Sequence, residues 1–424
     1  MASFYFTLLL VTIVILLIKV AWNPVLIFEY PYFMGAVFAV FIVPQAHSLI
    51  LFPGKVSEQA VDDVMLMSLL CMLACVLGYK LSPSIAVFKR IAIPVVMHKL
   101  FQVGIAFVLI SFIFAYQLAR SSVGLEVQTQ MSGITTVYLF FVGLIFPGFA
   151  ICVIVLLRGF TLARLIITLI AGSIPLINVL GIRREPTVML GLIIFLSWFY
   201  LRRRQPSRIL IFSTLFSAML MIPATGALRG YSESNQFNKI SSFDFIGNFK
   251  AYFGRESTLE LRNAAALIES TKRFGGYDFG AGYWNQIIFR YVPAQFIGIE
   301  RKNAMMIGSY DENDKSMGSI GYEWSTGSTL TGMGDSFQHF GWFGCLFFLI
   351  LAIFFRSVWL ASLHQHAIIA QLLYILICTS AMRAVTHQTT DFLPGLIYKG
   401  VFLAVGMWYA SVGNHSSPTK LAKR

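Results

Sequence analysis

Two pairs of side chains carry most of the chemistry this sequence offers. Arg183 and Arg184 stand together just before the apolar stretch 187–201, and Asp335 and His339 stand four residues apart just before the stretch 340–358. Planar guanidinium groups grip phosphate oxygens through paired hydrogen bonds. A carboxylate and an imidazole four residues apart share one helix face, where they can orient a hydroxyl and take its proton. The combination suits transfer of a group from a phosphate leaving group to a hydroxyl. Arg229, Arg290 and Arg301 extend the diphosphate-binding set, and Arg290 joins Asp335 and His339 as a candidate catalytic group. Tyr283, Trp284 and Tyr291 offer rings that stack on sugars or pack on protein. Plainer roles compete. Arg183 or Arg184 can pair with Glu185 or Asp391, Asp335 can be an acid favoured by a helix N-terminus, and His339 can pack at an interface. Arg255, Arg262 and Arg273 read as the solvated face of a helix. Glu323 and His387 are further bases, and Lys399, just inside the last apolar stretch, either snorkels outward or turns inward.

These residues must be held by a membrane protein. Of its 424 residues, 57% are hydrophobic and only 12% charged, outside the range of soluble domains. About eleven apolar stretches have the length that crosses a bilayer as helix: 4–22, 33–52, 62–79, 100–119, 133–157, 162–181, 187–201, 208–224, 340–358, 366–382 and 393–411. The second is interrupted by Pro44. All five cysteines lie in such stretches, which excludes a disulfide framework and a zinc pattern. The net charge of +13 does not point to nucleic acid, because the bases cluster beside the spans and orient them. Arg202, Arg203, Arg204 and Arg208 mark a cytoplasmic loop. Counting from it places Arg158, Arg164, Lys80, Lys89, Arg90 and Lys99 on the same side, with Lys420, Lys423 and Arg424. The N-terminus and the polar segment 226–338 fall on the other side. Arginines facing outward gain nothing from topology, and a phosphate-bearing ligand is a reason to keep them.

The expected organisation is therefore a membrane domain of about eight helices over 1–224, a large loop outside the cytoplasm over 225–338, about three membrane helices over 339–413 and a cytoplasmic tail over 414–424. Within the loop, Ser257-Thr258-Leu259-Glu260 is a capping box opening a helix that Gly275-Gly276 stops. Ile287 to Pro293 reads as a short apolar helix. The stretch 302–331 is looser and polar, most solvated at 311–315.

Three passages resemble the bacterial O-antigen and exopolysaccharide polymerases, the Wzy or oligosaccharide repeat unit polymerase family. Gly181-Ile182-Arg183-Arg184-Glu185 is similar to that family's G-x-R element. Phe279-Gly280-Ala281-Gly282-Tyr283, with Phe289-Arg290-Tyr291-Val292-Pro293 and Ile299-Glu300-Arg301-Lys302, resembles its large-loop run, although Ala294 stands where an arginine often follows the proline. Gly334-Asp335-Ser336-Phe337-Gln338-His339-Phe340-Gly341-Trp342-Phe343-Gly344 resembles the entry to the next span, with Asp335 where glutamate is usual. The resemblance implies an all-α polytopic fold like that of GT-C glycosyltransferases, in a bacterial inner membrane with the large loop periplasmic and the active site facing the periplasm. It implies an enzyme that takes undecaprenyl-diphosphate-linked oligosaccharides as donor and acceptor, needs no metal or nucleotide cofactor, and works among membrane lipids with a chain-length regulator as a further partner. The chain shows no P-loop, no H-E-x-x-H and no D-x-D pair in its outer segments. Two rivals remain: an O-antigen ligase, whose usual histidine–asparagine pair before the span entry is lacking here, and a carrier of lipid-linked sugars, which would favour short loops and internal repeats.

Overall fold

The computed structural model describes residues 1–82, 94–121, 134–233, 242–253, 260–308, 317–323, 328–364 and 366–411. The expected capping residues 257–259, Arg255, Lys89, Arg90, the segment 311–315 and the tail from 414 lie outside them. The described chain is all-α, with eleven helices long and apolar enough to cross a membrane. They fall on the eleven stretches read from the sequence. Eight precede the large loop: α1 (Ala2–Trp22), α2 (Tyr30–Leu51), α3 (Glu58–Leu81), α4 (Met97–Arg120), α5 (Ile134–Arg158), α6 (Leu162–Leu180), α7 (Arg184–Arg202) and α8 (Arg208–Glu233). Helix α2 survives Pro44 through a π-helical turn at Phe38–Ile42. Proline cannot donate to the preceding turn, and a wider turn absorbs that loss.

The loop holds α9 (Phe245–Phe253), α10 (Glu260–Phe274), α11 (Ala281–Tyr291), α12 (Ala294–Ile297) and α13 (Ile299–Ala304). Helix α10 stops at Gly275, whose φ of 67° ends it as the glycine pair predicts. The return to the membrane is a broken helix, α14 (Thr331–Phe340) and α15 (Leu346–Ser362), joined by a 3-10 turn. Then come α16 (Ile368–Thr386) and α17 (Phe392–Ala410).

Helix α10 is not a surface helix. Leu261 through Ile268 are all buried, and the helix packs between α14 and α3. Arg262, expected on a solvated face, is 5% exposed and donates to the Phe52 carbonyl at 2.6 Å. The reason is the depth at which α10 sits: its far side meets the loop that follows α2 instead of water. Gly334 makes the approach of α10 and α14 feasible, since a Cβ there would lie 2.8 Å from the Ala264 Cα. Gly332 does the same between α14 and α16: its Cβ would fall 1.8 Å from the Ala384 carbonyl oxygen. Backbone cannot yield as a side chain can, so Gly332→Ala should cost about 3 kcal/mol, the upper end of overpacking penalties. The thermal midpoint of the detergent-purified variant checks this.

The loop and the N-terminus share one end of the bundle. The Met1 amine lies 3.3 Å from Asp62, Lys272 pairs with Asp63 at 2.6 Å, and the Ser57 N–H donates to Glu269 at 3.1 Å. At the opposite end, Arg158 donates to Gln371 at 2.9 Å and Arg203 to the Leu363 carbonyl at 2.6 Å. The large loop and the basic turns at Arg158 and Arg203 thus lie at opposite ends of the bundle, as their grouping in the sequence predicts.

Candidate functional site

The loop docks onto the ends of α7, α14, α16 and α17 through a continuous polar network. Its inner half centres on His339. Nδ1 of His339 meets Asp278 Oδ1 at 2.5 Å, and Nε2 lies 3.5 Å from Asp335 Oδ1. The pairing of Asp335 with His339 expected from their spacing is present, with both side chains buried. Asp335 Oδ2 accepts the backbone N–H groups of Thr389 at 2.7 Å and Thr390 at 3.2 Å, together with the Thr389 hydroxyl. It thereby anchors the 3-10 turn Thr389–Asp391. Tyr283 closes the cluster: its hydroxyl is 2.8 Å from Thr389 Oγ1 and its ring centroid 4.5 Å from that of His339. Burial alone would raise the Asp278 pKa, yet the hydrogen bond and charge of His339, with the N–H groups of Gly280 and Gly282, hold it below the usual carboxylate value.

The outer half is a ladder of ions. Arg383, at the end of α16, donates to Glu185 at 3.0 Å and to Asp391 at 2.6 Å. Asp391 also accepts from Arg290 on α11 and from Gln286 at 2.8 Å. Arg290 spends one nitrogen on this contact, and its side chain remains 35% exposed. Beside the ladder, a cavity of about 180 Å³ is lined by Glu185, Pro186, Met189, Phe146, Tyr398 and Lys399. Lys399 turns inward. Its ammonium donates to the Leu376 carbonyl at 2.8 Å, Thr379 Oγ1 at 3.1 Å and Ser380 Oγ at 2.8 Å, which uses all three of its protons.

The other expected residues scatter around this centre. Arg184 donates from Nε to Thr225 at 2.7 Å and lies 3.8 Å from Glu260, so its ion partner is neither Glu185 nor Asp391. Arg183 is exposed, and its guanidinium closes no contact among the described residues. Arg229 and Arg301 are likewise exposed, and no described hydrogen bond or ion pair joins them to the network. Trp284 is 46% exposed and donates to the Met305 carbonyl at 2.8 Å, while the Tyr291 hydroxyl donates to the Pro394 carbonyl. Glu323 is exposed. Arg273 is exposed too and lies over the Phe274 ring at 5.7 Å.

Backbone strain marks three places in or beside the passages singled out in the sequence, and a fourth, Arg203, at the opposite end of the bundle. Four described residues other than glycine have positive φ: Ile182, Arg203, Phe279 and Thr331. Ile182 and Phe279 fall within the first two passages singled out in the sequence, and Thr331 lies three residues before the third. Left-handed backbone is costly for a β-branched residue such as Ile182 or Thr331, and such strain concentrates at functional sites.

Sequence reasoning did not select Asp278 or Gln286, and it marked Arg383 only as an outward-facing base at a helix end, without a role in the site. Asp278 carried a signal in Asp278-x-Gly280-x-Gly282, where a carboxylate meets free N–H groups two and four residues on, at 2.9 and 3.0 Å. Arg383 carried the signal of a base on the wrong side for topology. Gln286 carried none.

His387 sits between α16 and the Thr389 turn. Burial, then the charge of Arg383, push its pKa down to about 4, against the opposing pull of Asp391 and Glu185. It is neutral at pH 7. As pH falls from about 6.5 to about 4, the unfolded chain takes up a proton that the folded chain refuses, so stability drops by up to about 3 kcal/mol. The thermal midpoint of the wild type should fall over that window, and His387→Gln should flatten the fall.

No protein-family model, no curated protein and no solved structure matches this chain.

Proposed function

We propose that this protein is a glycosyltransferase that polymerises lipid-diphosphate-linked oligosaccharide units, with undecaprenyl diphosphate as the leaving group, at the periplasmic face of a bacterial inner membrane. The observation that carries this reading is the ladder Glu185–Arg383–Asp391–Arg290, which ties the large loop to the span ends beside a cavity. A metal-free transfer needs fixed donors where charge develops on the departing diphosphate. Arg290 and Arg184 each keep guanidinium nitrogens beyond those spent on protein partners, and Arg183 keeps its whole guanidinium. Arg383, spent on two carboxylates, holds the others in register. Lys399 adds positive potential at the cavity without a proton to donate.

In the reaction, the bond from the anomeric carbon to the diphosphate breaks. A bond from that carbon to an acceptor hydroxyl forms, and the hydroxyl proton is lost. Glu185 lines the cavity and gives one oxygen to Arg383, so its second oxygen is the base we assign. Asp335, His339 and Asp278 are positioning residues in this reading, since their polar atoms face one another and the Thr389 turn. Trp284 is the ring left open for sugar.

The test is direct. Purified protein in nanodiscs, supplied with lipid-linked repeat units, should yield a ladder of longer products. Unchanged substrate sinks the proposal, and substrate that crosses the bilayer without lengthening points to a carrier.

A further inference from the structure

The opposite end of the bundle holds a second polar cavity, of about 360 Å³, far from the loop. Three cations line it: Lys19 from the last turn of α1, Lys80 from the last turn of α3, and Arg356 from α15. Glu29 is the one carboxylate among them. None of the three cations closes an ion pair within 4.0 Å among the described residues, so the cavity carries two net positive charges even with Glu29 ionised. Arg356 instead lies over the Tyr79 ring, 4.8 Å from its centroid.

Tyr79 supplies the second observation. It lines the cavity and is 4% exposed, and its buried hydroxyl, with Glu29 and Arg356 as neighbours, closes no hydrogen bond of ordinary geometry. A buried hydroxyl that forms no well-aligned bond is free to turn to a better-placed acceptor. Ile15, Leu16 and Val76 form an apolar wall to the same cavity. On either side, Val11 and Ile18 of α1 and Leu73 and Leu77 of α3 are exposed, a surface that acyl chains can cover. Topology explains bases at these helix ends. It does not explain why three of them face one cavity with a buried tyrosine hydroxyl and an apolar wall.

We infer that this cavity binds the phosphate headgroup of an anionic phospholipid in the leaflet away from the large loop, with its acyl chains along α1 and α3. Lys19, Lys80 and Arg356 bind the phosphate oxygens, and the Tyr79 hydroxyl donates to one of them. The inference does not depend on the transferase reading.

Native mass spectrometry of the full chain released from nanodiscs tests it. Wild type should retain phosphatidylglycerol and not phosphatidylcholine. Lys19→Gln with Arg356→Gln should lower phosphatidylglycerol retention at least about tenfold, equivalent to about 1.4 kcal/mol. Tyr79→Phe, which keeps the ring under Arg356, should lower it about threefold and covers the case in which the double variant fails to fold. Equal retention of both lipids by wild type, or undiminished phosphatidylglycerol on either variant, overturns the proposal. If inorganic phosphate in lipid-free detergent raises the thermal midpoint as much as phosphatidylglycerol does, the ligand is a soluble phosphate and the lipid assignment falls.

Discussion

Arg383→Ala should lower stability by about 3 kcal/mol and abolish product formation. Removing one partner of a buried ion pair typically costs about 3–5 kcal/mol, because the remaining charge is left without compensation. Here the lower end applies. Asp391 is 3% exposed in its side chain but keeps Arg290 and Gln286, and Glu185 is 41% exposed and can turn to water. Activity suffers more than stability, because Arg383 is the one described group that bonds both Glu185, on the cavity wall, and Asp391, on the turn that receives the loop. Arg383→Lys should not rescue activity: one ammonium nitrogen does not reproduce the two separate nitrogens with which the guanidinium holds Glu185 and Asp391. A double-mutant cycle with Asp391→Asn should return a coupling of at least about 1.5 kcal/mol. Wild-type melting and a full-length product ladder from Arg383→Ala would remove the ladder from the mechanism.

Much of this architecture was written locally. Span length and apolarity are properties of contiguous residues, so the eleven stretches in the sequence match the eleven long apolar helices among the described residues, and even Pro44 only widened a turn. The grouping of the loops into two ends was legible as well, since Lys272 meets Asp63 and Arg158 meets Gln371 at opposite ends of the bundle. The spacing of Asp335 and His339 predicted their pairing because four residues make a helical turn.

What could not be read was which distant groups would meet. Asp278 and His339 are separated by 61 residues, Arg383 and Glu185 by 198. Spans that are apolar all round carry no periodic stripe to say which face packs on which neighbour, and their end groups inherit that ambiguity. Arg262 misled for a related reason. On an isolated helix it belongs to the polar face, and its burial depends on the Phe52 carbonyl, 210 residues away. The plainer role weighed for Arg183 or Arg184 was a pairing with Glu185 or Asp391; Arg184 meets Thr225 and Glu260 instead, and Arg383 holds the other two acids.

Arg290→Ala separates binding chemistry from architecture more cleanly than any other substitution. Its guanidinium bonds Asp391 through one nitrogen and is otherwise open on one side. Truncation leaves Asp391 with Arg383 and Gln286, so the stability loss should stay near about 1 kcal/mol, the scale of a partly exposed pair. The rate should fall far more. A fixed donor aimed at developing charge contributes about 10²–10³ in kcat, and Arg290 sits on α11, which packs on α17 and the Thr389–Asp391 turn. Arg290→Lys should recover only part of that loss, since a single ammonium lacks the separate nitrogens with which a guanidinium reaches Asp391 and a phosphate oxygen together. Single-turnover product formation, measured beside thermal melting of the same preparations, distinguishes the cases. A rate loss without a stability loss assigns Arg290 to the leaving group. If both fall together, Arg290 is a strut of the loop and the phosphate contact passes to Arg184, whose own alanine variant should then show the rate loss alone.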